Sequence, residues 1–98
     1  MEGRELAAVS SGSVSSDAAI VASAALLHSV VLVAGSDQAT VILYDDPNSA
    51  DGTVLVRLTA AINATTVFTP TKPINATTGI YADITGTSMF VYVHYTVK

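Results

Sequence analysis

The 98-residue sequence has no cysteine and no tryptophan, and only 12% of it is charged. Without cysteine there is no disulfide, thiolate metal site, iron–sulfur cluster or cysteine nucleophile, so packing and hydrogen bonding alone must hold the fold. Basic residues are scarce: four Lys plus Arg stand against eight Asp plus Glu, a formal charge of −4. That is the wrong sign for tracking a phosphate backbone, and no nucleic-acid partner is expected. Signatures of catalysis are missing too. There is no Gly-x-Ser-x-Gly elbow and no glycine-rich phosphate loop, and a serine-rich N-terminus is a poor place to preorganise a nucleophile. We expect a protein that is not an enzyme and uses no cofactor.

Half of the residues are hydrophobic and the mean hydropathy is +0.52, which calls for a membrane test. The uncharged run from Ala18 to Ala34 is short for a span, is interrupted by Ser23, His28 and Ser29, and draws many of its apolar residues from alanine. The residues before it carry Arg4 against Glu2, Glu5 and Asp17, unlike the positive start of a secretory signal. Neither membrane insertion nor export is expected. The length bounds the chain to one small domain, which buries only about 60 to 65% of its unfolded surface and so gains from association.

Residues 1–17 are rich in Ser, Ala and Gly, with Leu6, Val9 and Val14 as their large apolar residues. They read as an extended arm, either loosely attached or ordered on a neighbouring subunit. From Leu26 onward the pattern is that of short strands separated by turn clusters. The runs are 26–33, 39–44, 53–60, 65–69, 79–84 and 88–97, with an additional strand at 18–22. The breaks between them hold Gly, Pro, Asn and Asp, each with its own turn mechanism. No segment offers a crossover helix, so the sequence predicts an all-β domain over 18–98, a small antiparallel β-sandwich of immunoglobulin-like or jelly-roll type.

Alternation assigns faces. Val54, Val56 and Leu58 are expected inside, opposite Thr53, Leu55, Arg57 and Thr59; Ile80, Ala82 and Ile84 oppose Tyr81 and Asp83. In the last run Met89, Val91, Val93, Tyr95 and Val97 form one face, and Ser88, Phe90, Tyr92, His94 and Thr96 the other. Large side chains on both faces of one strand, in a chain too small to cover both, point to protein contact through Phe90, Tyr92 and His94. Leu6, Val9 and Val14 are candidate anchors of the arm.

Three features invite other chemistry. The stretch from Tyr44 to Gly52 carries Asp45, Asp46, Asp51 and Asn48, a composition able to ligate Ca²⁺, but the spacing is not that of an EF-hand and no bidentate Glu follows, so a polar hairpin connection is expected. His28 and His94 have no acid placed to orient them, and we expect a structural His28 and an exposed or interfacial His94 rather than metal ligands or bases. The word Ile-Asn-Ala-Thr-Thr occurs at 62–66 and again at 74–78, and both copies read as a turn entering a strand. Each contains an Asn-Ala-Thr acceptor pattern that matters only for a secreted eukaryotic protein.

Taken in order, Val31-Leu32-Val33-Ala34-Gly35-Ser36, Ala39 to Asp45, Gly52-Thr53-Val54-Leu55, Phe68-Thr69-Pro70, Pro73-Ile74, Gly79-Ile80-Tyr81 and Ile84-Thr85-Gly86-Thr87 resemble the small β-sandwich virion proteins of tailed bacteriophages. The resemblance covers roughly residues 26 to 95, and its words are packing and turn residues; the arm does not share in it. It implies a structural protein, assembled in the bacterial host cytoplasm into the virion. There it would decorate and cement the capsid as a small oligomer, such as a trimer, in contact with itself and with the major capsid protein or another virion protein. The alternatives are a tail, fibre or head-to-tail connector component, or a carbohydrate-binding host-recognition module in which Tyr44, Tyr81, Tyr92 and Tyr95 supply stacking.

Overall fold

The computed structural model describes residues 8–98. The described residues form nine strands: β1 (Val9–Ser10), β2 (Ala18–Val21), β3 (Ala25–Val33), β4 (Ala39–Asp45), β5 (Thr53–Ala60), β6 (Thr65–Phe68), β7 (Ile74–Ala76), β8 (Ile80–Thr85) and β9 (Phe90–Val97). Among the described residues no helix is long and apolar enough to cross a membrane.

All pairings are antiparallel and fall into two sheets. The first runs β1-β9-β3-β6, with β7 pairing β3 beyond the end of β6; the second runs β2-β8-β4-β5. The pairs are nested in sequence: β1 with β9, β2 with β8, β3 with β6 and β7, β4 with β5. Rolling that long hairpin up so that β9 also meets β3 and β8 also meets β4 gives the strand order of a jelly roll, one of the two sandwich types expected.

The core lies between the sheets. Leu27, Val30, Leu32, Val41, Leu43, Ile80, Val91 and Val93 are fully buried, and Ala25, Ala39, Ala60, Ala76 and Ala82 let the layers approach. Alternation works as expected on β8, where Ile80 and Ala82 are buried while Tyr81 and Asp83 are partly exposed. On β5 it does not. The register shifts between Leu43 and Tyr44, pairing them with Val56 and Val54 and leaving Leu55 as the extra residue of a bulge. Leu55 therefore packs against the core beside Val56 and Leu58, and Val54 is 52% exposed.

Two strands escape the sequence pattern. β7 lies within what reads as a turn, and β1 within the serine-rich arm. Ser11 N–H donates to the Val93 carbonyl at 2.8 Å, and Val14 and Val91 exchange N–H···O bonds of 2.9 and 2.8 Å. Asp17 then accepts the Ile84 N–H at 2.7 Å, so residues 9–17 run along the edge of β9 and cross to the second sheet. The free edge of β9 needs partners for its backbone groups, and the arm of the same chain supplies them.

The repeated word also departs from expectation. At 62–66 it is a turn entering a strand, with Asn63 at φ 58° and Thr65 and Thr66 paired to Val33 and Leu32. At 74–78 the order is reversed: Ile74, Asn75 and Ala76 pair with Leu27, Leu26 and Ala25, and Thr77 and Thr78 form the turn. Asp45 makes the difference, because its carboxylate captures Thr77 and Thr78 and has no counterpart at the first copy.

Candidate protein interface

Register places every side chain of the first sheet on one of its two faces. On the outer face, Phe90, Val33 and Thr65 form one row and Tyr92, Val31 and Val67 the next. His94 follows with Ser29 and Ser10, and then Thr96 with Leu26 and Asn75. A second bulge falls here. The register shifts between Leu27 and Ser29, so His28 is an extra residue and joins Ser29 on the outer face opposite His94. None of these outer-face positions is Asp, Glu, Lys or Arg, although the protein as a whole is charged −4. Val67 is 58% and Phe90 43% exposed.

The expected contact residues do not all share one setting. Phe90, Tyr92 and His94 stand side by side on this face. Val9 pairs with Tyr95 at the edge and is exposed, whereas Val14 packs against the core of its own chain. Leu6 lies outside the described residues.

Both histidines of the face are half-buried and oriented by hydroxyls rather than by acids. His28 Nε2 lies 2.8 Å from Thr96 Oγ1, and His94 Nδ1 lies 2.8 Å from Ser29 Oγ. These partners are 68 and 65 residues distant in sequence, so spacing gives no sign of them. A hydroxyl donates or accepts as required, and either ring satisfies its bond in the neutral or the protonated form.

The outer face of the second sheet has a different character. Arg57 and Asp83 flank Ile42, and the next row brings together Tyr44, Val54, Tyr81 and Ala19. The four tyrosines thus fall on three surfaces: Tyr44 and Tyr81 here, Tyr92 on the outer face of the first sheet, and Tyr95 against the core. They do not converge into one stacking platform.

The acidic loop is a latch between connections. Asp45 Oδ2 accepts the Thr77 N–H at 3.0 Å and its hydroxyl at 2.8 Å, and Oδ1 accepts the Thr78 N–H at 2.9 Å and its hydroxyl at 3.0 Å. Burial alone pushes this carboxyl up, but the four hydrogen bonds outweigh it and hold Asp45 well below the usual carboxylate range. Asp46 Oδ1 accepts the Asn48 and Ser49 N–H groups, both at 2.9 Å, and the Asn48 bond is the foremost cause of its lowered value. The oxygens of Asp45 are fully engaged, and no group of three or more His, Asp or Glu able to hold a metal occurs among the described residues.

Asp45→Ala is expected to cost about 1–3 kcal/mol, because two backbone N–H groups lose a charged acceptor. The folded carboxyl titrates below its usual 3.8, so the stability it confers is present at neutral pH, begins to decline as pH falls below 3.8 and is lost only as pH falls through the lower folded value. Denaturant midpoints of parent and variant should be well separated at pH 7 and narrow progressively as pH falls below 3.8; a separation unchanged between pH 7 and pH 2 would show that the charge of Asp45 is not what stabilises the latch.

No family model, curated protein or solved structure matches this chain.

Proposed function

We propose that this chain is a non-enzymatic structural protein of a tailed-bacteriophage virion, a capsid decoration protein that self-associates and cements the shell. The observation that carries this reading is the outer face of the first sheet, uncharged across four strand positions, with Phe90 and Val67 exposed beside the half-buried Tyr92 and Val31. Such a face suits a second copy of the chain, since an acidic protein meets itself with least repulsion where it bears no charge. The nine residues of β3 at about 3.3 Å each, across strands about 4.8 Å apart, give a footprint on the order of 600 Å² per copy. Two copies then bury more than the roughly 1,000 Å² that a specific contact needs. Face-to-face pairing is twofold; a trimer would need a second, heterologous contact. The resemblance over residues 26 to 95 supplies the virion context, and jelly rolls are found in viral capsid domains as well as in lectins, which supports the reading by analogy of fold alone. A protein that binds only the assembled shell stabilises it by linkage.

The test is the copy number of this chain in purified virions, measured by quantitative mass spectrometry against the major capsid protein. Decoration predicts near-stoichiometric amounts. A few to a few dozen copies would move the chain to the tail or connector, and absence from the particle would overturn the virion reading.

A further inference from the structure

We propose that self-association through the outer face of the first sheet is released by acid, with His28 and His94 as the groups that carry the charge. The inference rests on the association proposed above and adds its regulation. Imidazole is the side chain whose ordinary titration falls between pH 5 and 8, and the two histidines of the described chain both stand on this one face. Around them, β1 contributes Ser10, β7 contributes Asn75, β3 contributes Leu26 and Ser29, and β9 contributes Thr96 and the phenol of Tyr92. Tyr92 is the one other titratable group of these strands' outer face. Lys98 follows β9 directly, its N–H donating to the Ala24 carbonyl at 3.1 Å. Among the described residues no carboxylate stands on the face to receive a proton-bearing ring, whether from the same copy or from a twofold mate that presents the same residues.

It is the contact, not the free chain, that takes these rings out of water. In the free chain each ring keeps its hydroxyl partner in either state, and its exposed side is hydrated. Once covered, a protonated ring becomes a desolvated cation with no anion opposite, and in a twofold contact every such charge occurs twice. Association therefore releases protons and strengthens as pH rises. The whole-molecule effect has the opposite sign: protonating both histidines takes the formal charge from −4 toward neutrality and lessens repulsion between copies. Weakening in acid is thus specific to charge placed within the contact.

The experiment is sedimentation velocity over a concentration series at pH 8 and pH 5.5, on the full chain and on the H28Q/H94Q double variant. Calorimetric dilution at pH 6.5, in two buffers of different ionisation enthalpy, counts the protons exchanged. The parent is expected to associate at pH 8, to lose roughly tenfold or more in affinity at pH 5.5, and to release protons on association; the double variant is expected to change less than twofold. Absence of association at pH 8 would remove the association reading itself. Association of equal strength at both pH values, or a double variant that keeps the full response, would overturn the acid release and leave the association standing. Should the double variant fail to associate, the parent's proton count decides, and a count of zero overturns the proposal.

Discussion

Tyr92→Asp is expected to abolish self-association while leaving the fold in place. Tyr92 sits in the middle of the outer face, beside Val31 of β3, which in turn pairs with Val67. A carboxylate there would be covered by a partner face that offers no Lys or Arg among its rows. An uncompensated charge buried in this way costs about 3–5 kcal/mol, which at 1.4 kcal/mol per tenfold is a loss of roughly 100-fold or more in affinity. Replacing a half-exposed side chain on a strand costs the monomer far less, about 1 kcal/mol through β-propensity. Sedimentation at pH 8 should show a folded, monomeric variant, and Tyr92→Phe should associate as the parent does. A Tyr92→Asp protein that associates normally would remove this face from the contact and direct attention to the Tyr44 and Tyr81 surface of the other sheet.

The outer face of β9 was legible in the sequence, because β9 is a regular strand whose even positions carry Phe90, Tyr92 and His94 and whose odd positions carry the core. What surrounds those residues was not. Val31 and Val67 join them through register with β3 and β6, and register depends on pairings that no local pattern encodes. The two histidines come together only because a bulge adds His28 to the outer face, and a bulge in β5 likewise turns Val54 outward where strict alternation buries it. A one-residue insertion in a ladder leaves no mark on composition, so alternation is reliable up to each bulge and inverted beyond it. The identical words at 62–66 and 74–78 teach the same point about turns. Their conformations differ because the carboxylate of Asp45, 32 residues from Thr77, holds the second copy and not the first. Strands β3, β4, β5 and β8 were readable because their apolar residues and flanking turn residues agree. The three-residue β7 was hidden by Pro73 at its start, and the two-residue β1 by serines that usually signal an untethered end.

Leu32→Ala and Val67→Ala, from neighbouring rows of the same sheet, should separate folding from association. Leu32 is fully buried, between Thr66 on β6 and Val91 on β9, and points into the space between the sheets. Truncating it removes transfer free energy and leaves a cavity that a thin sandwich fills only in part, an expected cost of about 2–5 kcal/mol. Domains of this size have a total stability of about 5–15 kcal/mol, so the midpoint of thermal unfolding should fall by roughly 10–30 °C. Val67 points the other way and is 58% exposed, and its truncation should change stability by no more than about 0.5 kcal/mol. Its loss should instead appear as weaker self-association at pH 8, since the methyl groups it withdraws belong to the face proposed for the contact. Thermal unfolding at low concentration reads the first effect, and sedimentation reads the second. If Val67→Ala were to destabilise the dilute monomer as strongly as Leu32→Ala, the outer face would be part of the chain's own core, and no surface would remain on this sheet for a partner.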